Sequence, residues 1–248
     1  MNPKLSVIIP CYNEEKRIKK TLEAVSAYLQ KQHFTWEVLL VSDGSKDGTS
    51  NVVNEWLKGK TGFYFIDRKE NRGKGYTVRE GMLKATGDIR LFTDADNSTD
   101  ISHYDKMSVL FDAGYDVVIC SRDEKDAKGA KQAIPQVWHK RFLGNMGNLF
   151  IQIVAVRGIW DTQCGFKACT AAVAQRIFKV SRINRWGFDI EMLALARHFR
   201  FRLGIIPAYW VNDAASHVKL SGYIQVLWET VKVRWWLITG VYTRSRQS

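Results

Sequence analysis

The sequence predicts an α/β fold, a Rossmann-like, mostly parallel sheet covered by helices on both faces. Three observations carry this. Short β-rich apolar runs alternate with stretches of helical spacing through the first half of the chain. Several of those runs are apolar on both faces, as strands buried in a parallel sheet are. Polar clusters fall where such strands end, the edge at which sheets of this kind bind ligands.

Residues 5–10 (Leu5-Ser6-Val7-Ile8-Ile9-Pro10) form the first strand. Over residues 15–32, Ile18, Leu22, Val25 and Leu29 recur at helical spacing. Residues 34–41 form the second strand, with Val38-Leu39-Leu40-Val41 apolar on both faces. A helix over 47–58 carries Val52, Val53, Trp56 and Leu57. Residues 63–66 are a third strand, 73–85 a third helix, 89–93 a fourth strand and 115–120 a fifth. Polar clusters follow the first strand (Cys11-Tyr12-Asn13-Glu14), the second (Ser42-Asp43-Gly44-Ser45) and the fourth (Asp94-Ala95-Asp96).

At 248 residues and 46% hydrophobic, the chain can bury one sizeable α/β domain with appendages. A net charge of +12 attracts polyanions, whether nucleic acid, acidic headgroups or phosphorylated substrates, without choosing among them. Cys11, Cys120, Cys164 and Cys169 are scattered, with no C-x-x-C pair, and read as reduced thiols in a cytoplasmic setting. No uncharged stretch is long enough to span a bilayer, and the first apolar run is too short for a signal peptide.

Asp94 and Asp96, one residue apart at the mouth of a strand, point into the same space. That suits Mg²⁺ or Mn²⁺, with room left for substrate phosphates; alone, the pair could equally cap a helix. Asp43 at its strand end can accept from a nucleobase or a ribose, while Ser45 or Asp47 caps the next helix. Glu14, on the neighbouring strand end, joins Asp43 in a nucleoside pocket or is first-turn charge. Asn71-Arg72-Gly73-Lys74-Gly75 is neither a Walker A loop nor G-x-G-x-x-G; its glycines and cations open a helix where a nucleotide or diphosphate could bind, or form a Gly-rich turn with solvated cations.

Taken together, residues 6–14, 41–49, 71–75 and 93–96 resemble the family 2 glycosyltransferases, inverting enzymes of the GT-A fold that use nucleotide-diphosphate sugars. Gln163-Cys164-Gly165-Phe166-Lys167 and Trp186-Gly187-Phe188-Asp189-Ile190-Glu191 are similar to the polyprenyl-phosphate sugar transferases, and most similar to the dolichyl-phosphate β-glucosyltransferases. The mannosyltransferases of that group are close behind, and the resemblance spans about residues 5–220. It implies that Pro10, Tyr12, Glu14 and Asp43 line the nucleoside pocket, with Lys74 and Ala95 against the donor. It implies Asp94 and Asp96 as metal ligands helped by Ser98, Arg122 near the transferred phosphate, and Gln163 and Lys167 around sugar and acceptor. Asp189 falls where members that act on hydroxyls carry a base. A lipid monophosphate is already largely dianionic near neutral pH, its second pKa being about 6, so Asp189 is expected to orient acceptor or sugar instead. Without the resemblance, Asp189 and Glu191 read equally as helix N-terminal carboxylates.

The implied organisation is a catalytic domain over 1–215, with a nucleotide-sugar half (1–121) and an acceptor half (122–215), and a basic, Trp-rich tail over 216–248. The run Phe142 to Ile151, preceded by Lys140 and Arg141, has helical spacing and suits a lipid phosphate, or an ordinary packed helix. In the tail, Ile224, Leu227, Val231, Trp235 and Ile238 share one stripe, beside Trp228, Trp236, Lys232, Arg234, Arg244 and Arg246. That suits a helix in the headgroup region of an anionic membrane, or one packed on the domain. Ser216-His217-Val218-Lys219 departs from the Ser-Lys-Val of the group.

The expectation is a metal-dependent hexosyltransferase, peripheral at the cytosolic membrane face, taking UDP-glucose as donor and polyprenyl phosphate as acceptor, with no nucleic-acid partner. GDP-mannose as donor or a saccharide hydroxyl as acceptor is the alternative. A non-catalytic nucleotide- or nucleic-acid-binding protein is the alternative of another class, although no RRM, KH or helix-turn-helix signature is present.

Overall fold

The computed structural model describes residues 2–132, 138–211 and 220–243, and in them the expected sheet forms. The first half runs β1 (Leu5–Cys11), α1 (Ile18–Leu29), β2 (Trp36–Asp43), α2 (Thr49–Leu57), β3 (Phe63–Arg68), α3 (Lys74–Lys84) and β4 (Ile89–Thr93). The second runs α4 (His103–Asp112), β5 (Val117–Ser121), β6 (Lys131–Gln132), α5 (Trp138–Val154), β7 (Phe166–Thr170), α6 (Ala171–Phe178), α7 (Phe188–His198), β8 (Leu203–Pro207), β9 (Tyr209–Trp210) and α8 (Leu220–Ile238).

Seven strands make the main sheet in the order β3-β2-β1-β4-β7-β5-β8. All neighbours are parallel except β7, which runs antiparallel to both β4 and β5. Strand order reverses between β1 and β4, so the chain leaves these two strands in opposite directions and opens a crevice at their carboxyl ends. Alternate residues of one strand feed opposite layers. Leu5, Val7 and Ile9 pack with Ile18, Leu22 and Val25 of α1 and Met107 of α4. Ile8 and Phe92 face the other way, into a layer with Val78 and Met82 of α3 and Phe188 of α7 that extends to Val226 and Val233 of α8.

The structure differs from the sequence reading at particular places. α1 starts at Ile18 because the N–H groups of Arg17 and Ile18 both donate to Glu14 O, leaving residues 15–17 as a turn. α2 starts at Thr49 without a side-chain cap at Gly48; Asp47 instead accepts from Thr49 N and Thr49 Oγ1 just ahead of the helix, and Ser45 plays no such part. Phe166–Thr170, read only as part of a motif, is a central strand with Phe166 fully buried. The glycines and asparagines of α5 do not prevent its helix. The 215/216 boundary, Ser216-His217-Val218-Lys219, Arg244 and Arg246 lie outside the described residues.

Candidate active site

The loops after β1 and β2 are laced together before any ligand is considered. Asn13, held at φ 55°, ties the two loops together: Asn13 N donates to Ser45 Oγ (3.1 Å), and Lys46 N donates to Asn13 Oδ1 (2.8 Å). Glu14 N donates to Thr49 Oγ1 (2.7 Å), and Glu15 N to Asp47 Oδ2 (3.2 Å). Pro10 is buried and Tyr12 is exposed at the rim. The Glu14 carboxylate pairs with Arg17 at 2.7 Å. Burial raises its pKa, Arg17 pulls it back, and Asp96 and Asp94 push it up again, so the strand ends do converge electrostatically.

Asp43 is buried and has its carboxylate engaged. It accepts from Arg72 N (2.8 Å) and Gly73 N (2.9 Å) and is paired with Arg68, which also holds Glu80. Asp43 thus fixes the turn that opens α3. Gly73 is required there: its φ is +99°, and an added Cβ would lie 2.3 Å from Asn184 O. The turn delivers Lys74, the first residue of α3, to Asp94, with Nζ 2.6 Å from Oδ1. Burial works against the Lys74 charge, but Asp94, Asp189 and Asp96 outweigh it and raise its pKa.

Asp94 leaves β4 under the Gln163–Lys167 segment, with Asp94 N donating to Gly165 O (3.1 Å). An added Cβ on Gly165 would lie 2.1 Å from Asp94 Oδ2. From the other side, Thr21 Oγ1 donates to the buried Ala95 O (2.6 Å), and Ser98 N donates to Asp96 Oδ1 (2.9 Å). Asp94 Oδ1 and Ser98 Oγ are both buried and accept no hydrogen bond of good geometry. Lys74 Nζ meets Asp94 Oδ1 as an ion pair at 2.6 Å. An Asp94 oxygen matched by an ammonium ion pair, beside a Ser98 hydroxyl without a hydrogen bond, fits a divalent cation that keeps positions for phosphate and water. Among the described residues no group of three or more His, Cys, Asp or Glu forms a closed cage. The candidate donor set is Asp94 and Asp96, with Ser98 beside them.

On the acceptor side, two buried ion pairs set the geometry. Lys167 is fully buried and donates from Nζ to Asp189 Oδ1 and to Cys164 O (2.8 Å). Burial raises the Asp189 pKa, Lys167 and Lys74 lower it, and Asp94 raises it. Arg122 binds Asp161 through Nε (2.7 Å) and Nη2 (2.8 Å), and its guanidinium lies 5.1 Å from the Trp210 ring. Asp161 is oriented in turn by Asp126, whose carboxylate accepts from Trp160 N and Asp161 N (2.8 Å each). Gln163 N donates to Asp161 Oδ1 (3.3 Å). The structure therefore brings Asp94, Asp96, Lys74, Asp189 and Lys167 into one charged cluster, and places Arg122 beside it through Asp161.

Sequence reasoning missed Asp161, Asp126, Glu229 and Tyr242, and named Gly165 only as part of a motif. Glu229 of α8 accepts from Gly187 N (2.6 Å) in the segment that leads into α7. Glu191 accepts from Arg182 N (2.8 Å), Ile183 N (2.9 Å) and Tyr242 Oη (2.7 Å). Residues 182–187 are thus strung between α8 and the α3 turn, where Tyr76 N donates to Asn184 O (3.1 Å). The only sequence signal was charge at unexpected places in an apolar helix, Glu229 above all.

α8 packs inward through Val226, Glu229, Thr230 and Val233. Its opposite side exposes Ile224, Trp228, Val231, Trp235 and Ile238, so four of the five residues of the expected stripe face outward as exposed residues. On a helical projection Lys232 and Arg234 flank that stripe on either side. α5 exposes Met146, Leu149 and Ile153. No described helix is long and apolar enough to cross a membrane.

A carboxylate pair at the mouth of a β1/β4 crevice, in a sheet with one antiparallel strand, is the arrangement of the GT-A glycosyltransferases. Solved structures share the fold. Glucosyl-3-phosphoglycerate synthase from Mycobacterium tuberculosis, crystallised with Mn²⁺, UDP-glucose and phosphoglyceric acid, matches with a TM-score of 0.69 at 14% identity, over 99% of this chain and 82% of that one. Staphylococcus aureus TarS matches with a TM-score of 0.54 at 17% identity, over 98% and 75%.

The chain belongs to glycosyl transferase family 2, whose description its residues 6–178 match. It is similar to the dolichyl-phosphate beta-glucosyltransferases of Drosophila melanogaster (32% identity over 98% of this chain and 79% of the relative) and Homo sapiens (31%, 96% and 77%). The Saccharomyces cerevisiae protein of that name is 32% identical over 98% of this chain and 78% of its own.

Proposed function

We propose that the protein transfers glucose from UDP-glucose to a polyprenyl phosphate, with inversion, as a peripheral protein at the cytosolic face of a membrane. The relatives' names support the sugar and the lipid acceptor. The observation that carries the lipid acceptor is the placement of α8. Its inner face holds Gly187, two residues from Asp189, while its outer face exposes tryptophans and aliphatic residues between cations. Such a face lies well in a headgroup layer, and it would bring residues 182–189 to the surface where the acceptor phosphate is found. We place α8 in that interfacial role.

Pro10, Tyr12, Glu14 and Asp43 would shape the nucleoside pocket, Asp43 by fixing the Arg72–Gly73 turn. Asp94 and Asp96 would hold Mg²⁺ or Mn²⁺, which when bound neutralises charge growing on the departing diphosphate. Lys74 would serve the donor diphosphate and Arg122 the transferred end, as cations suited to phosphate. An acceptor phosphate oxygen attacks the anomeric carbon as the bond to the diphosphate breaks; no proton need be removed from a phosphate already ionised. Asp189 would then orient the acceptor or sugar, in a position set by Lys167. Gln163, on the same segment as Gly165, would border the sugar.

The experiment is a panel of UDP- and GDP-sugars offered with polyprenyl phosphate or with oligosaccharides, scored by product. UDP-glucose and polyprenyl phosphate should yield glycolipid, and Asp94→Ala and Asp96→Ala should each remove most of it while circular dichroism stays unchanged. Glycolipid from GDP-mannose alone would overturn the donor, transfer only to an oligosaccharide the acceptor, and near-normal transfer by either variant the metal site.

A further inference from the structure

Lys74 and a divalent cation need the same oxygen. Lys74 Nζ lies 2.6 Å from Asp94 Oδ1, and a cation bound to that oxygen would sit about 2.1 Å from it. Two positive centres on one carboxylate oxygen repel strongly, especially where the oxygen is buried as this one is. One of them must leave. The Lys74 backbone is not free to move: it is the first residue of α3, behind Gly73, whose N–H donates to Asp43 and which lies close against Asn184 O. The side chain is less confined: it is 25% exposed, and the rings of Trp186 and Phe188 lie 5.9 and 6.0 Å from Nζ.

Among the described residues, the neighbouring carboxylates already have partners. Asp189 is engaged by Lys167, and Asp96 Oδ1 accepts from Ser98 N. An incoming diphosphate, at the N-terminus of α3, supplies the anionic oxygens to which Lys74 can turn.

We propose that Lys74 is an exchangeable counter-ion: it neutralises Asp94 until a nucleoside diphosphate arrives, then moves onto the diphosphate and releases Asp94 Oδ1 to the divalent cation. This rests on the transferase reading above and adds a rule to it. Metal binds weakly to the free protein and tightly once nucleotide is present, and by linkage the metal strengthens nucleotide binding by the same factor. A lysine that only contacts phosphate would make no difference to metal binding in the absence of nucleotide.

The test measures Mn²⁺ affinity of the full chain by isothermal titration, with and without UDP, for the natural sequence, Lys74→Met and Lys74→Gln. Lys84→Met is the control, about 15 Å away along α3 and paired with Glu80. Without UDP, both Lys74 variants should bind Mn²⁺ on the order of ten-fold tighter, the relief expected from removing one partly screened neighbouring charge. The enhancement of Mn²⁺ affinity by UDP should shrink by a similar factor, and Lys84→Met should change neither. Thermal melts confirm that each variant is folded. Mn²⁺ affinity unchanged or weakened in folded Lys74 variants, or an undiminished UDP enhancement, overturns the inference while leaving the transferase reading intact. A natural chain that binds neither Mn²⁺ nor UDP removes both.

Discussion

Gly165 lies directly over the Asp94 carboxylate: its backbone carbonyl accepts the Asp94 N–H, and a Cβ in its place would come 2.1 Å from Asp94 Oδ2. Glycine here is a matter of space and not of backbone freedom. The contact couples the Gln163–Lys167 segment to the carboxylate pair, because β7 begins one residue later and runs antiparallel beside β4. Gly165→Ala should therefore move the Asp94 carboxylate by a fraction of an ångström to an ångström without disturbing the core. Displacement on that scale costs about a hundred-fold in rate. Steady-state transfer should fall by that order while the unfolding midpoint changes little; transfer within two-fold of the natural chain would show that Asp94 does not need its present position.

Lys167 and Asp189 form a buried pair, and their removal separates architecture from chemistry. Lys167→Met alone leaves Asp189 without its nearest cation, and Asp189→Leu alone leaves a buried ammonium. Breaking one side of such a pair costs about 3–5 kcal/mol, whereas replacing both sides with packed apolar groups is often neutral. Denaturant unfolding should show both single variants strongly destabilised and the double variant close to the natural chain. The double variant should still fail to transfer sugar, since it has lost the group that orients acceptor or sugar. Full activity in the double variant would reduce the pair to a structural one.

Much of this was legible in the sequence, for identifiable reasons. Val38-Leu39-Leu40-Val41 of β2 is apolar on both faces and β1 and β4 are largely apolar, the pattern of strands covered twice. Asp94 and Asp96 stood out because polar residues at a strand mouth are few and adjacent. β7 was not legible as a strand: Phe166-Lys167-Ala168-Cys169-Thr170 carries a lysine where a buried strand should be apolar. The lysine is tolerated only because Asp189, distant in sequence, neutralises it. Asp161 was silent for a like reason, since its meaning comes from Arg122, 39 positions away. The α8 stripe was found by periodicity, but periodicity cannot say which face meets the protein. The inner face is set by Val226, Thr230 and Val233, and the stripe points outward.

That outward face gives a direct prediction for membrane binding. Trp228 and Trp235 are 59% and 63% exposed, so replacing them removes little packing. Burying one such side chain in a headgroup layer contributes about 1.5–3 kcal/mol, so Trp228→Glu or Trp235→Glu should weaken vesicle co-sedimentation by about ten-fold or more. UDP binding in solution should be unchanged. Lys232→Ala with Arg234→Ala should weaken binding to anionic vesicles and leave neutral vesicles alone. Unaltered sedimentation in all of these would assign the face to something other than lipid.

The Arg122–Asp161 pair makes an acid-side prediction whose sign follows from its geometry. Burial alone would raise the Asp161 pKa, but the Arg122 guanidinium, together with hydrogen bonds from Arg122, outweighs burial and holds it below its ordinary value of 3.8. A carboxyl with a depressed folded-state pKa stabilises the fold at pH values above its unfolded pKa, and the contribution is lost as pH falls through the folded value. Asp161→Asn removes that contribution at every pH. The stability difference between the natural chain and Asp161→Asn should therefore be constant from pH 7 to about 5 and should narrow below about pH 4. Glu14, Asp189 and Glu191, whose pKa values are raised, titrate in both proteins and largely cancel in that difference. Urea unfolding across this range is the measurement. A difference that widens on acidification would mean that Asp161 is protonated more readily in the folded state than in the unfolded one, and that Arg122 does not hold it as an anion.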